Sequence, residues 1–144
     1  MTNREADDDA IRGLIATLVE ALRAKDLDRL ARMFAPDIVS YDIEPPLRHR
    51  GAAAKTDNWA RVFAAYDDID YEVRDLDVTV GGDVAFVRSI NRLSGTLAGG
   101  RRAATWVRWT GCFRRLDGEW LIVHDHVSVP LDMASGTALT GLEP

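Results

Sequence analysis

The chain is expected to fold as an α+β protein, with helices packed on one face of a curled antiparallel sheet. Three features carry that expectation: apolar residues at helical spacing in the first half, apolar–polar alternation through the second half, and compact turn signals between the alternating stretches. With 144 residues, 47% of them hydrophobic and 28% charged, the sequence suits a single domain spanning 1–144. A domain of this size hides about 70% of the surface its unfolded chain exposes, enough for a core that encloses a cavity.

Ile11, Leu14, Ile15, Leu18, Val19 and Leu22 fall at intervals of 3, 1, 3, 1 and 3, which puts six apolar side chains on one face of a helix of about four turns. Asp7 to Asp9 supply a cap and negative charge at its start, and Lys25 lies just beyond its end. Asp26 is placed to cap a shorter second helix whose buried stripe is Leu27, Leu30, Ala31 and Phe34, with Pro36 as its stop. Ile38 to Ile43 reads as a strand ending at Glu44-Pro45-Pro46. Trp59, Val62, Phe63 and Tyr66 sit at i, i+3, i+4 and i+7, and predict a third helix from about Ala52 to Tyr66 that lays an aromatic stripe across the sheet.

The period then changes to two, with strands expected near residues 69–80, 83–96, 103–115 and 119–129. Gly81-Gly82, Ala98-Gly99-Gly100 and Asp117-Gly118 separate them, so they should form a sequential meander. The core is expected over about 6–130, with 131–144 as a weakly ordered tail. Parity sorts the faces. In the last strand Leu121, Val123, Asp125, Val127 and Val129 share one side, leaving Trp120, Ile122, His124, His126 and Ser128 on the other. In the strand before it, Val107, Trp109, Gly111 and Phe113 form the apolar set, against Trp106, Arg108, Thr110 and Cys112. Near residue 88, Val84, Phe86, Arg88, Ile90 and Arg92 alternate with Ala85, Val87, Ser89, Asn91 and Leu93, and periodicity alone does not choose the inner set.

Several function classes are excluded at this level. Eighteen basic against 23 acidic side chains give a net charge of −5, the wrong sign for binding nucleic acid or an anionic membrane surface. Cys112 is the single cysteine, so the chain has no internal disulfide and no thiolate zinc cluster, and a reducing cytoplasm is expected. Met1 to Asp9 carry no basic stretch ahead of an apolar run, and no apolar run reaches membrane-spanning length. Metalloprotease, phosphate-loop, dinucleotide-loop and serine-hydrolase motifs are absent.

The ending Asp117-Gly118-Glu119-Trp120-Leu121-Ile122-Val123-His124-Asp125-His126-Val127-Ser128-Val129-Pro130, with Lys25-Asp26-Leu27 through Met33-Phe34-Ala35-Pro36, resembles the SnoaL-like and ketosteroid-isomerase-like domains of the nuclear transport factor-like superfamily. The resemblance covers about residues 6 to 130 and implies a cone-shaped α+β barrel with one open mouth. It implies that Arg88 points inward. Carried over by position, the general-base aspartate of the steroid isomerases falls at Asp42, while their helix-one tyrosine falls at Leu18 and their second oxyanion donor at Thr110 or Gly111, so neither donor is reproduced. Loss of one such donor typically costs ~3 kcal/mol, which argues against efficient steroid isomerisation. The aspartate–arginine–aspartate group of limonene-epoxide-hydrolase-like members is matched by Asp125 and Arg88, with Ile90 at the third position.

The expected site is therefore Asp42, Arg88 and Asp125 inside an apolar cavity lined by Tyr41, Trp59, Phe63, Phe86, Trp109, Phe113 and Val127. Asp42, unpaired in an apolar pocket, would be raised toward neutrality and act as base; Arg88 would hold developing negative charge; Asp125 would orient Arg88 or a water. The simpler alternative is that Arg88 and Asp125 form a buried ion pair that only fixes the sheet. His49, His124 and His126 are the residues a metal would use, but parity puts the last two on the outer face, and no metal or cofactor is expected. That outer face, with Trp106, Trp120, Ile122, His124 and His126, is the expected homodimer surface. The function implied is isomerisation, cyclisation or hydrolysis of an apolar small molecule by carboxylate acid–base chemistry. The alternative is a non-catalytic ligand-binding or oligomerisation module, because the ending also resembles the association domain of calmodulin-dependent kinases.

Overall fold

The first helix, α1 (Asn3–Arg23), buries Ile11, Ile15, Leu18 and Leu22 of the expected stripe together with Ala21, while Leu14 and Val19 pack half-buried against the core. Its cap lies farther upstream than Asp7 to Asp9. The Thr2 hydroxyl accepts a hydrogen bond from the Glu5 N–H, and the Glu5 carboxylate accepts one from the Thr2 N–H. The nearby acids are engaged elsewhere: Asp7 takes both terminal nitrogens of Arg115, and Asp8 pairs with Arg12. This computed structural model describes residues 2–144.

Asp26 does cap α2 (Leu27–Ala31), accepting from the Arg29 N–H. Pro36 does not end that helix. It lies within β1 (Phe34–Tyr41), which starts four residues earlier than the alternation suggests. A proline is tolerated there because the ladder between β1 and its neighbour is irregular from Phe34 to Val39, so its missing donor breaks no regular rung. A short β2 (His49–Arg50) returns along β1, and α3 (Ala52–Ala65) follows.

Four long strands then form the meander: β3 (Tyr66–Gly81), β4 (Val84–Leu97), β5 (Arg102–Leu116) and β6 (Glu119–Ser128). The six-stranded sheet has the order β2-β1-β6-β5-β4-β3, with β1 parallel to β6 and every other neighbour antiparallel. The helices cover its concave face. Residues 131–144 carry one regular feature, a two-stranded hairpin of β7 (Leu131–Asp132) and β8 (Thr137–Ala138). No helix among the described residues is long and apolar enough to cross a membrane.

Parity holds along β5, where Val107, Trp109, Gly111 and Phe113 are inside. It fails halfway along β6. Cys112 pairs with His124 and Phe113 with Ile122, so Val123 is left without a partner and the alternation inverts across it. Trp120 and Ile122 are therefore core residues rather than part of an outer association face, while Asp125 also points inward and His124 and His126 keep to the outer side. Trp106 is on the outer side too, half-buried beneath the Arg74 guanidinium.

Candidate active site

On β4 the structure decides what the pattern left open, and decides against Arg88. Ala85, Val87, Ser89 and Asn91 are the inward set. Arg88 is 70% exposed and pairs with Asp77, which faces it across β3 on the outer side. Phe86 shares that side and is half exposed, so it lines no interior cavity. The reason is charge: outside, the guanidinium keeps its hydration and gains a cross-strand partner, whereas inside it would need a buried one.

The cation inside the fold is Lys55. One turn upstream of the aromatic stripe on α3, it reaches down between two strands and is only 2% exposed. Its ammonium donates to Asp42 Oδ2 at 2.9 Å and to Ser40 Oγ at 3.0 Å, and lies 3.1 Å from Asp125 Oδ2. Ser40 and Asp125 are register partners on β1 and β6, and the Ser40 hydroxyl donates to Asp125 Oδ1. Trp109 Nε1 donates to the other Asp125 oxygen at 3.3 Å. The indole reaches it by lying across Gly111, the residue opposite Asp125 on β5.

Asp42, immediately past the end of β1, is the outermost member of the cluster. Asn58 donates to its Oδ2 at 2.7 Å with its amide oriented by Arg61, and the Ile43 N–H donates to its Oδ1. Burial works to raise the Asp42 carboxyl, but the Lys55 charge and these hydrogen bonds outweigh it and hold it below the ordinary carboxylate range. The expectation of an unpaired, neutral-range Asp42 is thus overturned: a cation the pattern did not reveal neutralises it. Lys55 shows the mirror effect, since burial lowers its affinity for a proton while Asp125 and Asp42 raise it further, leaving the ammonium more firmly charged than usual. At about 3 Å and an effective dielectric near 20, each attraction is about 5 kcal/mol, comparable with the several kcal/mol of hydration each buried ion gives up. The hydrogen bonds decide the balance.

Asp42 also belongs to an open groove of about 520 Å³ formed with Tyr41, Ile43, Glu44, Pro45, Pro46, Leu47 and His126. Of the residues expected to line a cavity, Tyr41 is in this groove. Phe63, Trp109 and Phe113 are buried core residues, and Trp59 and Val127 pack half-buried against that core. A second groove, between α1, the end of α2 and the start of β6, contains none of them. Among the described residues no group of three His, Cys, Asp or Glu side chains could hold a metal ion. The site thus brings Asp42 and Asp125 together through Lys55 and leaves Arg88 outside. Ser40, Lys55 and Asn58 escaped the sequence reading, yet a signal existed: Lys55 and Asn58 are four and one residues before Trp59, on the same helical face.

A family model for the SnoaL-like domain matches residues 11–132. Solved structures similar to the chain include an NTF2-like protein of unknown function from Pseudomonas putida KT2440, at 30% identity over 97% of this chain and 98% of that one, with a TM-score of 0.88. An NTF2-like family member from Streptomyces avermitilis, provisionally named a dehydratase, shares 19% identity over 90% and 100% of the two chains, with a TM-score of 0.79. A hexachlorocyclohexane dehydrochlorinase shares 21% over 96% and 93%, with a TM-score of 0.76. At these lower identities the likeness is one of fold. No curated protein matches the chain. The family model together with the Pseudomonas relative shows that the chain belongs to the SnoaL-like domain family and has the NTF2-like fold.

Proposed function

We propose that this protein is a small-molecule enzyme in which Asp42 removes a proton from carbon while Lys55 keeps that carboxylate ionised. The observation that carries the reading is that one carboxylate belongs both to the buried ionic cluster and to an open groove with apolar walls. Lys55 keeps Asp42 ionised and so able to accept a proton near neutral pH, and once Asp42 has taken one up, Lys55 still has Asp125 as its partner. Asp125, Ser40 and Asn58 act as positioning residues that fix Lys55 and Asp42. The names of two fold relatives denote loss of water and of hydrogen chloride, both of which remove a proton from carbon, and this supports elimination or isomerisation as the reaction class. Epoxide opening through an Asp–Arg–Asp group has less support, because Arg88 lies on the far side of the sheet.

The test uses 5-nitrobenzisoxazole, which loses a C–H proton to a base as its N–O bond opens to a coloured phenolate. The wild type should accelerate this over buffer, and Asp42→Asn should lose about 10²-fold or more with an unchanged melting curve. Indistinguishable rates for the two proteins would leave the cluster as a structural clamp, as a binding or assembly module would use it.

A further inference from the structure

The two strands that hold the ionic cluster have a groove at each end. Tyr41, Asp42 and His126 belong to the groove where β1 and β6 finish, and the second groove, of about 510 Å³, opens where both strands begin. There Met33, just ahead of β1, and Trp120 and Leu121 on β6 meet Leu14 of α1. The eight residues of β1 separate the two grooves by about 26 Å of strand, so one small molecule does not occupy both.

The second groove accounts for a gap in the packing of α1. Leu14 belongs to the apolar stripe of that helix, yet it is half-buried while Ile11, Ile15 and Leu18 beside it are closed off. Leu121 is half-buried as well, and Met33 and Trp120 form a buried floor. Apolar surface left open between a helix and a strand gains free energy when something covers it. The volume falls within the range of small-molecule sites, and walls from three elements suit a compact ligand better than a flat partner surface.

The charge at the rim says what kind of ligand. Arg29 on α2 and Arg32 at its C-terminal cap stand one turn apart, and both line the groove. Like charges at that spacing repel, and a helix of five residues has little dipole for two cations to offset. Arg29 reaches Glu20 at 3.2 Å on the surface. Arg32 is exposed and, among the described residues, has no ion partner; Glu119, the one acid in the groove, pairs with neither arginine. Two arginines against one glutamate make this groove positive in a chain whose net charge is −5.

We propose that this groove is a second binding site, for a small amphipathic anion whose apolar body lies against Leu14, Met33, Trp120 and Leu121 and whose carboxylate meets Arg32 and Arg29. The Arg32 guanidinium offers the paired N–H donors that match a carboxylate, and Arg29 is free to turn toward it because its exposed pair with Glu20 is weak. The site stands independently of proton abstraction at Asp42.

Octanoate, octanol and octylammonium, each kept below self-association and at constant ionic strength, test this by NMR titration of the isotope-labelled protein. Octanoate should saturate shifts of the Trp120 indole N–H and of the Leu14 and Leu121 methyls. Octanol should bind about 10-fold more weakly, and octylammonium more weakly still. Arg32→Gln, a change at an exposed position, should weaken octanoate about 10-fold and octanol distinctly less, whereas Leu14→Asn should weaken both. Absence of saturation by octanoate, equal affinity for octanoate and octanol, or an Arg32→Gln protein that holds octanoate as tightly as wild type would overturn the assignment. Shifts confined to Ile43 and Leu47 would put the ligand in the first groove and overturn it as well.

Discussion

Lys55 is the residue on which the site turns, because its removal leaves two buried carboxylates facing each other with no cation between them. Lys55→Met should destabilise the fold by about 3–5 kcal/mol at neutral pH, the usual cost of breaking a buried pair from one side. It should also change the sign of the pH response. Without the ammonium, one carboxyl is raised in the folded state, so its stabilising contribution exists at low pH and disappears as the pH rises. Urea midpoints of Lys55→Met should accordingly be higher at about pH 5 than at about pH 7. A midpoint that does not move would mean that the carboxylates are not coupled through this side chain. Lysine is rarely buried, so although the spacing carries the inner face of α3 back one turn from Trp59 to Lys55, that position reads as solvated charge. The two acids could be read because an aspartate at a strand end and another on an apolar strand face are conspicuous. Their partner is less conspicuous, because a lysine at the start of a helix ordinarily keeps its ammonium in water.

At the scale of single elements, β5 and β6 show why alternation is a reliable guide only between bulges. Parity along β5 is correct from Val107 to Phe113, whereas on β6 one unpaired residue, Val123, inverts it and turns Trp120 and Ile122 into the core. No local composition marks such a bulge. On β4 both sets are mixed, so the choice rested on what faces each residue across the sheet, with Asp77 opposite Arg88. The same strands hold a constraint on size. A Cβ at Gly111 would stand 2.8 Å from Trp109 Cζ2 and 3.2 Å from Val87 Cγ2, so Gly111→Ala must displace the indole and with it the hydrogen bond to Asp125. The expected cost is about 1–3 kcal/mol, seen as a lower urea midpoint together with a shifted Trp109 Nε1–H resonance. An unmoved resonance would show that the ring does not depend on the glycine.

For the molecule as a whole, the ionic cluster ties α3 to β1 and β6, and its pH limits follow from its two titrating ends. Asp42, held below its ordinary value of 3.8, contributes stability above that value and loses it as acid protonates the folded carboxylate. Lys55, held above its ordinary value of 10.5, contributes fully below that value and fades as alkali passes its folded pKa. The difference in urea midpoint between wild type and Asp42→Asn should therefore be level from about pH 5 to about pH 9 and narrow once the pH falls below about 4. A change near neutrality would contradict the pairing of Asp42. At this scale the sequence was most informative: three helices, a strand and a meander were all readable from periodicity, since burial by a whole layer leaves a long, redundant pattern. The parallel contact of β1 with β6 has a further consequence. Ser40 and Asp125 are 85 residues apart in the chain, so the ionic cluster depends on the two halves meeting. A nascent polypeptide still on the ribosome, with β6 in the exit tunnel, lacks the second carboxylate, and Lys55 has only Asp42 to face until that strand emerges.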